Sequence, residues 1–316
     1  MTKRVHVVAA VIRNATQEIL LALRPSDKHM GGLWEFPGGK CEAGESPQQA
    51  LARELQEELG IVIHSCQPLI QVRHDYPDVH VLLDVYEVLD FTGQAYGAEG
   101  QQVRWVAQDA LADYQFPAAN RTIVRAAQLP QRYVITPEHL SVEQLYAGCQ
   151  QALENGCQLL QLRAPQLTAL EYSDLAQRLE TLCAGRAQLM LKGDAALLDT
   201  FATAGWHLTS QQLQTFSSEQ RAQMQGRWLA ASCHDAAQLQ LATDLQLDFV
   251  TLSPVLPTQT HPGAPTLGWD AAQSLLRDFN APAYLLGGLT EHNLAQARDI
   301  GGQGVAAIRG FWPQSL

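Results

Sequence analysis

Residues 39–61 read GKCEAGESPQQALARELQEELGI, and the glutamates near the end of this stretch are the part of the chain best placed to do chemistry. Glu54, Glu57 and Glu58 stand at i, i+3 and i+4. On a helix that spacing brings three carboxylates onto one face, within about 5–6 Å of each other. Carboxylates so close repel unless a cation sits among them, and an all-oxygen set suits a hard divalent ion, Mg²⁺ or Mn²⁺. Arg53 can pair with one of the carboxylates and fix its direction. Leu51, Leu55 and Leu59 share another face and can bury the helix. A Glu-rich helix is more often a plain solvated face. That reading leaves the glycine-rich segment before the helix unexplained.

The elements needed to hold these groups can be read around them. Ser46-Pro47 opens the helix and Gly60 ends it. Before it lie two strand-like runs, VHVVAAVI (5–12) and EILLALR (18–24), and a Gly/Pro-rich loop over 25–47. After it come strands near 62–74 and 79–89, a glycine-rich loop at 93–100, a strand at 102–106 and a helix near 117–127. From residue 132 the rhythm changes. YVIT, CQLLQL, QLML, GWHL, RWLAA, LDFVTL, AYLLG and GVAAI are eight short apolar runs, most of them separated by helix-like segments. Strand–helix alternation repeated eight times predicts a parallel (β/α)8 TIM barrel. The join falls near AAQLPQR (126–132), so the expected domains are 1–129 and 130–316, both α/β.

The 316 residues carry 21 basic and 32 acidic side chains, a net charge of −11. That length suits about two domains. The acidic balance argues against duplex nucleic acid as a partner, though not against nucleotides, whose phosphates a metal can neutralise. No apolar run approaches the ~18 residues of a membrane span. The opening MTKRVHVVAAVIRNATQ lacks a small-residue cleavage site and reads as a first strand. The six cysteines are scattered without a CxxC pair, as expected of reduced thiols in a cytoplasmic protein.

Residues 39–61 resemble a complete Nudix box, the signature of enzymes that hydrolyse nucleoside diphosphates linked to another group. The likeness runs through residues 3–125 and is strongest to the MutT, or 8-oxo-dGTP diphosphatase, type. It includes VIRNATQEILLALR, DKHMGGLWEFPGGK, YPDVH and FPAAN. It implies an α/β/α sandwich around a mixed sheet. It implies metal ligation by Gly38, through its carbonyl, and by Glu54, Glu57, Glu58 and Glu99. One of Glu54, Glu58 or Glu99 would take the proton of the attacking water. Arg24 and His29 match positions that hold phosphate or sugar, and Glu35-Phe36-Pro37-Gly38 matches the lining of the nucleoside pocket. Asn120 matches an asparagine that hydrogen-bonds the oxidised guanine; an amide offers both a donor and an acceptor to a purine edge. Asn120 also stands where it could simply cap a helix. The family has a basic residue where this chain has Val79, so a guanidinium stacked near the base is missing.

Residues 132–312 resemble the thiamine phosphate synthases and their thiazole tautomerase relatives. QLR (161–163), KGD (192–194), HL (207–208), SCH (232–234), SPVLPTQTHPG (253–263), GGL (287–289) and GVAAIRG (304–310) carry the likeness. Gly287, Gly288, Arg309 and Gly310 would form a phosphate site, and His234 matches the acid/base of the tautomerases. The departures fall on the synthase chemistry. Ala164, Pro165 and Gln166 follow QLR where a lysine is expected, the metal-binding Asn-Asp pair reads Gly193-Asp194, and Gln212 replaces a second aspartate.

The expected function is Mg²⁺-dependent hydrolysis of 8-oxo-dGTP to 8-oxo-dGMP and diphosphate, a sanitation step that protects DNA, beside a degenerate synthase-like barrel. Two alternatives remain at this stage. The hydrolase could act on thiamine-related diphosphates, or the barrel could be a module that binds a thiazole or thiamine phosphate.

Overall fold

In the computed structural model the described residues are 3–27, 30–77, 79–194, 197, 200–201, 203–224, 226–259 and 263–313. The chain divides into two compact units, residues 1–128 and 129–316.

The first unit is built on β1 (Lys3–Ile12), β2 (Ile19–Leu23), β3 (Trp34–Glu35), β4 (Val62–Asp75), β5 (Val79–Thr92) and β6 (Val103–Val106), with helices α1 (Pro47–Leu59) and α2 (Asn120–Gln128). β1 runs parallel to β5, while β4 is antiparallel to β5. β2 pairs antiparallel with both β3 and β6, so the sheets are mixed. The two-residue side-chain period of β1 divides the core. Val8, Ala10 and Ile12 pack with Leu51, Leu55 and Leu59 of α1. Ala9 and Val11 pack on the opposite face with Ile123, Val124 and Ala127 of α2. This is the α/β/α sandwich.

The described part of segment 25–47 is more regular than its Gly/Pro content suggests. It contains β3, and its 37–41 stretch runs along β1: Val8 N–H donates to Gly39 O (2.8 Å), Ala10 N–H to Pro37 O (2.8 Å) and Cys41 N–H to His6 O (3.0 Å). These partners lie some 30 residues away, so the local sequence carries no sign of them.

In the second unit eight parallel strands close a barrel: β7 (Arg132–Ile135), β8 (Leu159–Leu162), β9 (Gln188–Leu191), β10 (Gly205–Leu208), β11 (Leu229–Cys233), β12 (Phe249–Leu252), β13 (Ala283–Leu286) and β14 (Gly304–Ala307). The described helices between them are α3 (Val142–Glu154), α4 (Ala169–Cys183), α5 (Ser210–Thr215), α6 (Ser218–Gln223), α7 (Ala236–Asp244), α8 (Gly268–Leu276) and α9 (Leu294–Asp299). Strands of four or five residues keep the barrel short. Tyr133, Leu159, Met190, Ala230, Phe249, Tyr284 and Ala306 fill its interior. All six cysteines are free thiols. No helix among the described residues is long and apolar enough to cross a membrane.

Candidate functional site

Helix α1 starts where the sequence sets it. Ser46 Oγ accepts from Gln49 N–H (3.2 Å) and Gln49 Oε1 accepts from Ser46 N–H (2.8 Å), a reciprocal cap with Pro47 just inside. Gly60 takes φ 66° and ends the helix. With both ends fixed, the glutamates fall on the face turned toward residues 37–40.

Arg53 organises that face. Its Nε and Nη2 reach the two Glu45 oxygens (2.8 and 2.9 Å), Nη2 also reaches Lys40 O (3.0 Å), and Nη1 donates to Glu54 Oε1 (2.9 Å). Two hydrogen-bonded carboxylates hold the guanidinium well above its ordinary pKa, and Arg53 in turn draws the Glu45 carboxyl down to about 2. Glu57 pairs with Arg53 only at 3.4 Å and is 60% exposed.

Glu58 is the buried member. Gly38 N–H approaches its Oε2 at 3.3 Å. Burial, together with the nearby Glu35, Glu54 and Glu99 carboxylates, pushes Glu58 up to about 7 against the opposing Gly38 hydrogen bond. Glu99 reaches this neighbourhood because its loop is fastened to the end of α1. Ala98 N–H donates to Glu58 O (2.9 Å), Gln101 Nε2 to the same oxygen (2.9 Å) and Tyr96 N–H to Leu59 O (3.2 Å).

Two glycines give the carboxylates room. Gly38 has φ 147°, and a Cβ there would lie 2.1 Å from Val8 O. At Gly39 a Cβ would lie 2.2 Å from the Glu54 carboxylate. The structure thus brings Gly38, Glu54 and Glu58 together, with Glu35 and Glu99 close enough to act on Glu58. Glu57 shares the helix face but leans outward. Among the described residues no three carboxylate, imidazole or thiolate groups already surround one point at ligand distance. The mutual repulsion that lifts Glu58, and an all-oxygen donor set, fit a hard divalent cation.

A line of neighbouring groups leads away from Glu58. Glu35 pairs with Arg24. Arg24 lies near the Tyr76 hydroxyl, which is bonded to the Ala119 backbone, next to Asn120. Phe36 is buried and stacks on Phe116, with ring centroids 5.8 Å apart. Pro37 is buried beside it. Asn120 is the first residue of α2 and only 8% exposed. Its N–H bonds Pro117 O, while its side-chain amide makes no hydrogen bond to a described residue, so the capping role open to it in the sequence is not the one it plays. His29 lies outside the described residues.

The barrel's C-terminal mouth is a cavity of about 1070 Å³, and its walls include His234, Gly287, Gly288, Arg309 and Gly310. His234 Nδ1 contacts Ser253 O at 2.7 Å. A carbonyl only accepts, so Nδ1 carries a proton and Nε2 is the nitrogen left to face a ligand. The glycines are also required by packing. Gly287 and Gly288 have φ of 105° and 66°, and a Cβ on Gly288 would lie 2.5 Å from Pro257 O. Arg309 bonds Gln259. A polar group missed in the sequence sits in the same cavity. Lys192 Nζ contacts Ser232 Oγ (2.6 Å), which contacts His207 Nε2 (3.1 Å); His207 Nδ1 contacts Tyr133 OH (3.1 Å), which accepts from Gln161 Nε2 (2.7 Å). One signal was available: Lys192 is the sole lysine beyond residue 40.

This geometry defines a carboxylate-helix hydrolase joined to a TIM barrel, and comparison with known proteins gives the families. Residues 8–126 match the NUDIX domain model and residues 132–311 the thiamine monophosphate synthase model. An 8-oxo-dGTP diphosphatase of Proteus vulgaris is 45% identical over 98 residues, covering 31% of this chain and 88% of that protein. A CTP pyrophosphohydrolase of Escherichia coli is 36% identical over 124 residues, covering 39% of this chain and 91% of its own. A protein of Aquifex aeolicus named as a second thiamine-phosphate synthase is 28% identical over 188 residues, covering 58% of this chain and 98% of its own. The chain belongs to the Nudix hydrolases through its first unit and to the thiamine monophosphate synthase family through its second.

Proposed function

We propose that the first unit hydrolyses 8-oxo-dGTP to 8-oxo-dGMP and diphosphate. The observation that carries the base assignment is Asn120: a largely buried residue whose amide has no hydrogen-bond partner among the described residues, on the side of the unit that Tyr76 and Arg24 link to the carboxylate cluster. An unpaired buried amide discriminates strongly, because a base that fails to match both its donor and its acceptor leaves it unsatisfied. Phe36 and Pro37 supply apolar surface for a purine.

Gly38, Glu54, Glu57, Glu58 and Glu99 would hold Mg²⁺ or Mn²⁺. Such an ion, when bound, neutralises the triphosphate and makes water a better nucleophile. The protein's own part is positional. Arg53 aims Glu54, and the fastened 96–101 loop keeps Glu99 beside Glu58. Glu58, whose surroundings already favour the protonated form, takes the proton as water attacks the phosphorus nearer the nucleoside. The bond from that phosphorus to the bridging oxygen breaks, and diphosphate leaves with the electron pair. Arg24 pairs with Glu35 and stands ready for a phosphate or sugar, the role its position implies for His29 as well.

The test is a hydrolysis screen of the full chain with 8-oxo-dGTP, dGTP, CTP and thiamine diphosphate. The reading requires 8-oxo-dGTP to give the highest kcat/KM. A preference for CTP or thiamine diphosphate overturns it.

A further inference from the structure

We propose that Lys192 is a nucleophilic amine that forms an imine with a phosphorylated aldehyde or ketone bound in the barrel mouth. The proposal concerns the second unit and does not depend on the nucleotide reading of the first.

Four observations carry it. The second unit has nine arginines and this one lysine, and the lysine lines the cavity together with Gln161, His207 and Ser232. An arginine stays charged and cannot serve as a nucleophile, whereas a lysine can lose its proton when buried. Next, Lys192 has no carboxylate partner among the described residues; its hydrogen bond is to the Ser232 hydroxyl. An ammonium without a counter-ion in such a place is disfavoured, and burial with Arg163 nearby lowers the Lys192 pKa to about 8.

The hydrogen-bond chain behind Ser232 has a direction. Gln161 Nε2 is a donor only, so the Tyr133 hydroxyl accepts from it and turns its own proton toward His207 Nδ1. His207 is fully buried and held neutral, its pKa well below the ordinary imidazole value. Its Nε2–H then donates to Ser232 Oγ, which also accepts from Lys192 Nζ at 2.6 Å. Once Lys192 gives up its proton, the Ser232 hydroxyl can turn its own proton to the amine, which makes Ser232 a proton carrier beside the reacting nitrogen.

Finally, the same cavity contains Gly287, Gly288, Arg309 and Gly310 at the ends of β13 and β14, where barrels offer backbone N–H groups to phosphate. A ligand with phosphate at that wall and a carbonyl at Lys192 uses both ends of the cavity.

The chemistry balances without an added oxidant or reductant. The Lys192 lone pair attacks the carbonyl carbon, a C–N bond forms, and the π pair moves to oxygen. Ser232 passes a proton from nitrogen to that oxygen. A second proton transfer releases the oxygen as water, leaving the imine.

The experiment is borohydride trapping on the full chain, with glyceraldehyde 3-phosphate as the probe and glyceraldehyde as its uncharged counterpart. Intact mass and peptide mapping read the site. We expect Lys192 to be reduced to a stable secondary amine at least ten times faster than the exposed Lys40. Inorganic phosphate should slow it, and Lys192→Met should abolish it. Ser232→Ala, which keeps the amine, should slow trapping about tenfold, so the reading stands tested even if Lys192→Met fails to fold. Modification of Lys192 no faster than Lys40 overturns the nucleophile. Equal trapping by glyceraldehyde overturns the phosphorylated ligand. Glu54→Gln, which tests the hydrolase, should leave trapping untouched.

Discussion

Gly39 lies where a methyl group would meet the Glu54 carboxylate at 2.2 Å. Its backbone is not in the left-handed region, and the nearest atoms to a larger residue all belong to this side chain. Gly39→Ala should therefore fold while pushing Glu54 aside. A displacement near 1 Å in a catalytic constellation costs on the order of 10²-fold. The expected result is a loss of about that size in kcat/KM with little change in thermal stability. Unchanged kinetics would show that the position of Glu54 does not matter. Glu54→Gln should lose at least as much.

The elevated Glu58 carboxyl makes the first unit pH-sensitive in a definite direction. Its pKa is about 7 in the fold, against 4.5 without it. Below 4.5 both states hold the proton and there is no penalty. Between 4.5 and 7 the unfolded chain ionises first, so stability falls as pH rises, by at most about 3 kcal/mol once both states are ionised. In a metal chelator, the protection of α1 amides, taken relative to their intrinsic exchange rate at each pH, should fall from pH 5 to pH 8 in the natural chain. Glu58→Gln should flatten that dependence and protect α1 at pH 8, while hydrolysis falls by orders of magnitude. Faster exchange in the variant at pH 8 would contradict the cause assigned to the shift. Divalent ions added at pH 6 should release a proton from the natural chain and not from Glu58→Gln.

Much of this was legible in the sequence where the signal is local. Ser46, Pro47 and Gly60 mark α1, and the i, i+3, i+4 glutamates lie on it as spacing requires. The eight apolar runs became eight barrel strands. What stayed hidden depends on distant partners. The 37–41 stretch reads as loop because its hydrogen bonds go to β1. Glu57 stays exposed and meets Arg53 only at 3.4 Å, while Glu45 and Glu54 take the closer bonds, an arrangement spacing alone does not fix. Lys192 stands inside KGD with no local sign of its surroundings, because its partners Ser232 and His207 lie on β11 and β10 and no motif links the three.

Asn120→Ala should weaken discrimination more than turnover. The natural amide is satisfied only by a base edge presenting a matching donor and acceptor, and the mismatch is worth about 1–3 kcal/mol. The ratio of kcat/KM for 8-oxo-dGTP to that for dGTP should fall by roughly 5- to 150-fold by the same figure. An unchanged ratio would make Asn120 a spacer in the wall of α2. Val79→Arg offers the opposite change, restoring a guanidinium where the resembled enzymes have a basic residue, and should raise the ratio.

The full chain should not couple a pyrimidine diphosphate to a thiazole phosphate. In the resembled synthases that step uses a metal-bridged diphosphate leaving group, and here the groups that would hold it are absent or engaged elsewhere. Arg163 pairs with Glu138 and is followed by Ala164, Pro165 and Gln166. Gln212, at the place of the second aspartate, is fully used: its Oε1 accepts from Thr209 N–H (2.9 Å) and its Nε2 donates to Gly193 O (2.9 Å). It is thus the reciprocal cap of α5 and a tie to the end of β9. Gln212→Ala should cost the barrel about 1 kcal/mol, the usual worth of a lost cap, and change no synthase rate because there is none to change. Synthase turnover and barrel unfolding in denaturant, measured on one preparation of each chain, check both statements. Robust coupling by the natural chain would show that a leaving diphosphate can be held without the missing carboxylate and lysine.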